Sequence, residues 1–357
     1  MRNESVTIAK AIAIMLMVLA HSCFSDYANK WINMFHMPLF FFFAGYCFKD
    51  KYLATPKAFV KRRIQGLYKP FIKWSLIFLL LHNVFFELNI YNDEYGFRGM
   101  VSQSYELKDF VKKSISIITR MGSNEQLLGG YWFLRSLFCG SLIGYGIIRY
   151  VNNNQLVGGG ILLIITMLLA LFDLQLPYFN ISARETFVAL FFISGYFYKK
   201  NGLLWHHSIW IIPLGIISVT VGNSFWQSSL LKFEWWMVPF YSVTAVSGLL
   251  AVYSLSRLLE NRKGGVRDLL VYVGNNTLTI LTWHLLCFKL VSLTIILVNG
   301  IPIAHLAEFP VIETYSTQGW FIPYTIVGIC LPLIISRSAT RIVNHLVKVS
   351  KLGQDGC

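Results

Sequence analysis

Residues 8–21 read Ile8-Ala-Lys-Ala-Ile-Ala-Ile-Met-Leu-Met-Val-Leu-Ala-His21, an apolar run of helix length with Lys10 near one end and His21 at the other. An ionisable side chain at membrane depth costs roughly 3 kcal/mol, so one found there usually marks a pathway or a reaction site. The two residues are eleven apart. On an α-helix they come within about 20° of the same face and roughly 16 Å apart along the axis. One stripe of the first span therefore carries a cation at one end and an imidazole at the other. The next span opens Phe35-His-Met-Pro-Leu-Phe-Phe-Phe-Phe-Ala-Gly-Tyr46 after a short turn, which puts His36 at a depth similar to His21.

Working outward, the 357 residues are 55% apolar, 16% aromatic and only 13% charged, with mean hydropathy +0.55. A soluble chain carries about a quarter charged residues. The composition predicts an all-α polytopic membrane protein, a single integral-membrane domain over 1–357. Ten apolar runs stand out, at 6–24, 34–49, 70–90, 130–149, 156–173, 183–198, 208–223, 236–257, 277–298 and 320–336. Each approaches the ~20 residues that cross the hydrocarbon.

Basic residues test that count. With the N-terminus cytoplasmic, inner segments carry Lys49, Lys51, Lys57, Lys61, Arg62, Arg63 and Lys69, then Lys199 and Lys200. Arg257, Arg262, Lys263 and Arg267 follow, and finally Arg337, Arg341, Lys348 and Lys351, whereas loops 174–182 and 299–319 hold no Lys or Arg. About ten transmembrane helices with both termini cytoplasmic satisfy the positive-inside rule. The net charge of +14 thus reports topology, and nucleic acid is not an expected partner. The outer loop 91–129 is mixed in charge, with Arg98 among its basic residues, as long loops are allowed to be. Tyr105, Leu107, Phe110, Val111 and Ile115 predict a helix there, lying along the membrane surface. Residues 1–23 lack a good cleavage site and are read as a retained span. The six cysteines (23, 47, 139, 287, 330, 357) show no metal-type pairing and read as small apolar filler, so no metal is expected.

The chemistry concentrates at the ends of the spans. An imidazole can take a proton from a hydroxyl and return it, so His21 and His36 are the candidate catalytic pair. Glu87, Trp132, Arg135, Arg184 and Glu185 sit at outer ends of other spans and suit a sugar, through ring stacking and hydrogen bonds; the competing reading is an interfacial aromatic belt with snorkelling charges. His284 and Lys289 lie inside the ninth span and point inward to the bundle. On the inner side Phe59-Val-Lys-Arg-Arg-Ile-Gln-Gly-Leu-Tyr-Lys-Pro70 offers Arg62, Arg63 and Lys69 to phosphates, or only to anionic lipid. Phe41-Phe-Phe-Ala-Gly-Tyr-Cys-Phe-Lys49 and Phe191-Phe-Ile-Ser-Gly-Tyr-Phe-Tyr-Lys199 resemble a repeat. It could be a parallel duplication or simply common interfacial usage. No Gly-rich phosphate loop, HExxH helix or GxSxG elbow appears. Buried His, Lys and Glu also fit a secondary transporter of a small polar or anionic solute, which is the alternative reading. A membrane sensor would need an output module that the chain does not contain.

These residues in this order resemble the acyltransferase-3 family of bacterial membrane O-acyltransferases, closest to its fucose 4-O-acetylase-like branch. Lys10 and His21 match the family's basic residue, ten residues, then His. Phe35-His36-Met37-Pro38-Leu39-Phe40-Phe41 through Gly45-Tyr46, Arg62-Arg63-Ile64 through Pro70, Trp132-Phe133-Leu134, and Asn276-Thr277-Leu278 through His284 match further segments. Two positions depart from the pattern: the family's hallmark Arg is Lys10 here, and a second Arg is common where Gly66 stands. The resemblance implies acetyl-CoA or another acyl-CoA as cytoplasmic donor, a sugar hydroxyl of a cell-envelope glycan or glycolipid as acceptor, and the bacterial cytoplasmic (inner) membrane as location. It implies catalysis by His21 with His36, donor contacts from Lys10, Arg62, Arg63 and Lys69, and acceptor contacts from Glu87, Trp132, Arg135, Glu185 and His284.

Overall fold

The computed structural model describes residues 3–352 apart from 97–100, 123–124, 152–153, 177, 228, 232–233 and 263, and leaves the side chains of 155 and 339–352 undescribed. Arg98, Lys263 and Cys357 lie outside the described residues, as do the side chains of Arg341, Lys348 and Lys351. Apart from one isolated bridge between Leu176 and Ile181, the described secondary structure is helical. In chain order the helices are α1 (Glu4–His21), α2 (Asp26–Asn33), α3 (His36–Tyr46), α4 (Lys51–Ala54), α5 (Pro56–Arg63), α6 (Lys69–Leu80), α7 (His82–Glu87), α8 (Leu107–Arg120) and α9 (Trp132–Tyr150). Then come α10 (Gln155–Leu171), α11 (Ala183–Lys200), α12 (Ile211–Phe225), α13 (Met237–Glu260), α14 (Gly265–Asn275), α15 (Thr277–Asn299), α16 (Glu313–Tyr315) and α17 (Phe321–Leu352).

Every expected apolar run falls on a helix. Five stretches are long and apolar enough to cross a membrane by themselves: Glu4–His21, Gln126–Tyr150, Met237–Glu260, Thr277–Asn299 and Glu313–Ser338. Leu156–Leu171 and Ile211–Phe225 are shorter apolar helices. The protein is an all-α polytopic membrane protein. Its third span differs from the expected 70–90, because the helix already begins at Pro56 and runs through a wide π turn at Ile64–Tyr68 into α6. Pro56 sits in the first turn, where its missing N–H costs nothing. The basic residues of this segment are thus helical rather than in a loop.

Side-chain pairs fix the directions of the spans. Gly215 and Gly222 of α12 meet Ala251 and Thr244 of α13, in reverse order, so these helices are antiparallel. Thr166 of α10 bonds Thr186 of α11 while Gly158 meets Ile193, again antiparallel. By contrast Gly140 and Gly144 of α9 meet Val188 and Phe192 of α11 in the same order, so these two run parallel. This alternation agrees with the order of spans expected from charge. The face holding Lys10 is termed inner and that holding His21 outer, as the charge rule orients them.

The two halves of the apparent repeat pack directly on each other. A side chain on Gly45 would strike the backbone of Phe192, and one on Gly195 would strike the backbone of Phe42. Each glycine thus faces the residue three before the other, a reciprocal crossing that only Gly permits. Helix ends are tied by polar side chains. Asn3 accepts from Val6 N at 3.1 Å to cap α1, Arg267 pairs with Glu4, and Ser5 donates to Glu260. The predicted outer helix is α8, but its apolar residues divide between two faces. Phe110 and Ile117 pack inward with the Lys113 side chain beside them, while Leu107, Val111, Ile115 and Ile118 form an exposed stripe. It runs beside α6, with Asn83 bonding both backbone groups of Tyr105 and Tyr68 donating to the Ile118 carbonyl.

Candidate active site

A cavity of about 300 Å³ lies inside the bundle, and its walls follow helical spacing. From α1 it takes Val6, Lys10, Ile14 and Met17; from α3 and the residue that caps it, Met37, Phe40, Phe43, Ala44 and Cys47; from α15, Thr277, Leu278 and Leu281. Gly66 and Leu67 of the π turn and Phe133, Leu134 and Leu137 of α9 close it. The stripe on α1 is the one expected to join Lys10 to His21, and it faces the interior. His21 stands four residues beyond Met17, His36 four before Phe40, and His284 three beyond Leu281. On an α-helix each of these steps is one turn along the same face. The three histidines do not line the cavity itself; by helical spacing each stands one turn beyond one of its walls, toward the outer end.

Two of the rings touch. His21 Nδ1 lies 2.9 Å from His284 Nε2, and the ring centroids are 5.1 Å apart with planes 14° from parallel. His284 Nδ1 lies 3.0 Å from the carbonyl of Ile280 and 3.1 Å from that of Leu281. His36 Nδ1 is 2.8 Å from the Ile32 carbonyl one turn back. His36 was expected to act as a pair with His21, but the ring hydrogen-bonded to His21 is that of His284, which was expected to contact the acceptor. His284 is fully buried and His36 nearly so, whereas His21 keeps partial exposure.

At the inner mouth Lys10 and Cys47 line the cavity, and the Cys47 thiol feels the charges of Lys10, Lys199, Arg62 and Arg63. Arg62 Nη1 donates to the Tyr52 hydroxyl at 3.1 Å. The Arg63 guanidinium stacks over Phe59 and Phe192, 4.9 and 5.4 Å from the ring centres, and its Nε is buried with no partner among the described residues. Lys69 stands apart: it is exposed and faces a separate groove with Lys57 and Lys61. Lys199, set over the Tyr46 ring at 5.6 Å, joins the group without having been singled out. Its signal was the lysine that closes the second half of the repeat.

The outer residues expected to bind sugar separate into two places. Trp132, Arg135, Arg184 and Glu185 form one cluster, with the Arg184 guanidinium over the Trp132 ring at 5.3 Å. Glu185 is fully buried. Its Oε1 accepts from Ser136 at 2.7 Å and Arg184 at 3.1 Å, with Arg135 at 3.7 Å, and its Oε2 accepts from Ser182 N at 2.9 Å and Ser182 Oγ at 2.8 Å. A carboxylate has about four acceptor sites, so Glu185 has none left for a sugar. It is the N3 member of a capping box on α11. Glu87 is exposed at the end of α7. The buried acid nearby is Glu125, 3.1 Å from His82, whose other nitrogen bonds the Gln103 carbonyl at 3.0 Å. Sequence reading passed over this pair, which ties α7 to the segment after α8. Burial pushes the phenols of Tyr91 and Tyr105 up, and the Glu125 carboxylate adds to it.

A family model described as an acyltransferase domain matches residues 3–337. The chain belongs to the acyltransferase-3 family. No curated protein and no solved structure matches it. The match extends over nearly the whole membrane domain, from the cap of α1 into α17, and favours the enzyme over the transporter reading. This acyltransferase is therefore a multi-pass membrane enzyme, and the corridor between Lys10 and the three histidines is its candidate active site.

Proposed function

We propose that this acyltransferase moves an acyl group, most simply acetyl, from acyl-CoA on the inner face to a sugar hydroxyl of an envelope polysaccharide or lipid-linked sugar on the outer face of a bacterial cytoplasmic membrane. The observation that carries this reading is the corridor itself, cationic at one end and crowned by histidines at the other. Lys10, Arg62 and Arg63 meet the phosphates of CoA, which stay outside the hydrocarbon. The roughly 16 Å between Lys10 and His21 along α1 suits a pantetheine arm laid along apolar walls, with its thioester at the outer end.

His21 is the base: of the three histidines it is the residue that keeps partial exposure, and it stands on the stripe that carries Lys10. Its Nε2 takes the hydroxyl proton as the sugar oxygen attacks the thioester carbon. The C–S bond breaks, the C–O bond forms, and the imidazolium returns its proton to the departing thiolate. The products are the sugar ester and free CoA. His36, with Nδ1 held by the Ile32 carbonyl, keeps Nε2 for the acceptor in this reading.

The test is purified protein in nanodiscs with acetyl-CoA and a panel of oligosaccharide acceptors, read by thiol release and by mass of the product. His21→Ala is expected to lose about 10²–10⁴-fold in rate while inserting and melting as the parent does. Full activity in that variant would remove His21 from the mechanism, and thiol release that never tracks ester formation would remove the acceptor class.

A further inference from the structure

We propose that His284 is a positioning residue which decides the nitrogen of His21 that carries the proton, an assignment that rests on His21 being the base of acyl transfer. The argument starts from groups that have no choice. Backbone carbonyls only accept, so the His284 Nδ1 that lies 3.0 and 3.1 Å from the Ile280 and Leu281 oxygens must bear a hydrogen. A neutral imidazole has a single N–H, so His284 Nε2 is a lone pair. That lone pair is 2.9 Å from His21 Nδ1, which must therefore donate. The lone pair of His21 is left on Nε2.

The ring geometry agrees. A centroid separation of 5.1 Å with planes 14° apart is close to the 2.9 Å contact plus a ring radius on each side. The rings lie edge to edge in nearly one plane, and the N–H points along the lone pair of its partner. Face-to-face stacking would have turned both nitrogens away. His284 is itself sealed from the acceptor, with no exposure and its Nε2 already engaged, so it acts through His21 alone.

His21 needs this help because of where it stands. His284 fixes its Nδ1–H on carbonyls of its own helix, and His36 fixes its Nδ1–H on the Ile32 carbonyl at the end of α2. His21 is the last residue of α1 and its ring turns to a different helix, 263 residues further along the chain. Free histidine favours hydrogen on Nε2, the form that has no base at that edge. An orienting acceptor that holds the opposite tautomer is what triad enzymes obtain from a carboxylate, where the wrong tautomer abolishes most of the rate. A second imidazole does the same without adding a buried negative charge.

The experiment uses the full chain in nanodiscs with ¹⁵N-labelled histidine. Two-bond ¹H–¹⁵N correlations report the tautomer of each ring, with His21→Ala assigning the His21 signals. In the parent protein His21 is expected as Nδ1–H. His284→Gln, whose Oε1 can still accept near the old Nε2 position, should keep that tautomer and hold kcat within about tenfold. His284→Leu should shift His21 toward Nε2–H and lower kcat about 10²–10³-fold, with donor KM unchanged within about twofold. A parent His21 protonated on Nε2 would overturn the assignment, as would a His284→Leu protein that keeps both the tautomer and the rate. Gln and Leu variants equally inactive with His21 unchanged in both would also overturn it. The spectrum needs no substrate: His21 as Nδ1–H in a protein inert to every acyl-CoA would support the positioning while overturning the acyl-CoA donor.

Discussion

At the inner mouth of the corridor the charge of a side chain and its shape can be tested apart. At the residue scale Lys10 is the sharpest case, lying on the corridor wall at the position where the family's hallmark is Arg. Lys keeps the charge and loses the planar fork. Lys10→Arg should keep the donor KM within a few fold. Lys10→Ala should raise it roughly 10–100-fold, the equivalent of the ~1.5–3 kcal/mol of a hydrogen bond to a charged group. Initial rates against acetyl-CoA concentration decide this, and equal losses in both variants would deny a role based on charge. The stripe from Lys10 to His21 was readable because both residues belong to one helix, where spacing alone settles the face. Glu185 was readable too, though not as a ligand. Ser182-Ala-Arg-Glu185 is an S-x-x-E capping signature, and the structure uses its carboxylate to begin α11.

At the scale of elements, the reciprocal contact of Gly45 with Phe192 and Gly195 with Phe42 sets how α3 and α11 cross. Gly195→Val puts methyl groups against main chain that cannot move aside. It should destabilise by about 1–3 kcal/mol or more, seen as a lower melting temperature in detergent. Gly66 is the contrasting site. It lines the cavity within the π turn, and a side chain there meets nothing within 4 Å. Gly66→Arg should fold normally and lower the donor KM a few fold by adding a guanidinium at the mouth, about the effect of one exposed ion pair. A raised KM, or a lowered melting point, would count against the corridor as the donor path. The similarity of the two Phe-rich segments was visible in the sequence, and their direct contact was not, because similarity carries no information about distance.

At the scale of the molecule, the proposed transfer across the bundle uses an unfilled path about 300 Å³ in volume, which a close-packed interior does not leave by accident. Leu134→Trp should fill part of it. The expected result is a loss of about 10²-fold in acyl transfer, as for a misplaced reacting group, with a melting temperature equal to or above that of the parent. A variant both stable and fully active would show that the donor travels elsewhere. The same path explains why the basic residues sort as they do. Lys10, Arg62, Arg63 and Lys199 gather where Cys47 feels them, and Lys69 turns to a groove outside.

What the chain determined unaided was its class and its spans, since hydropathy, helical period and the sidedness of Lys and Arg are local properties that bilayer physics reads one segment at a time. The stripe from Lys10 to His21 belongs with these, being the face of a single helix. The partner of His21 was decided only by tertiary structure. His284 lies on another span, 263 residues away, and no periodicity links two helices. Their crossing sets which ring meets which and, in the proposed mechanism, the nitrogen left open for chemistry.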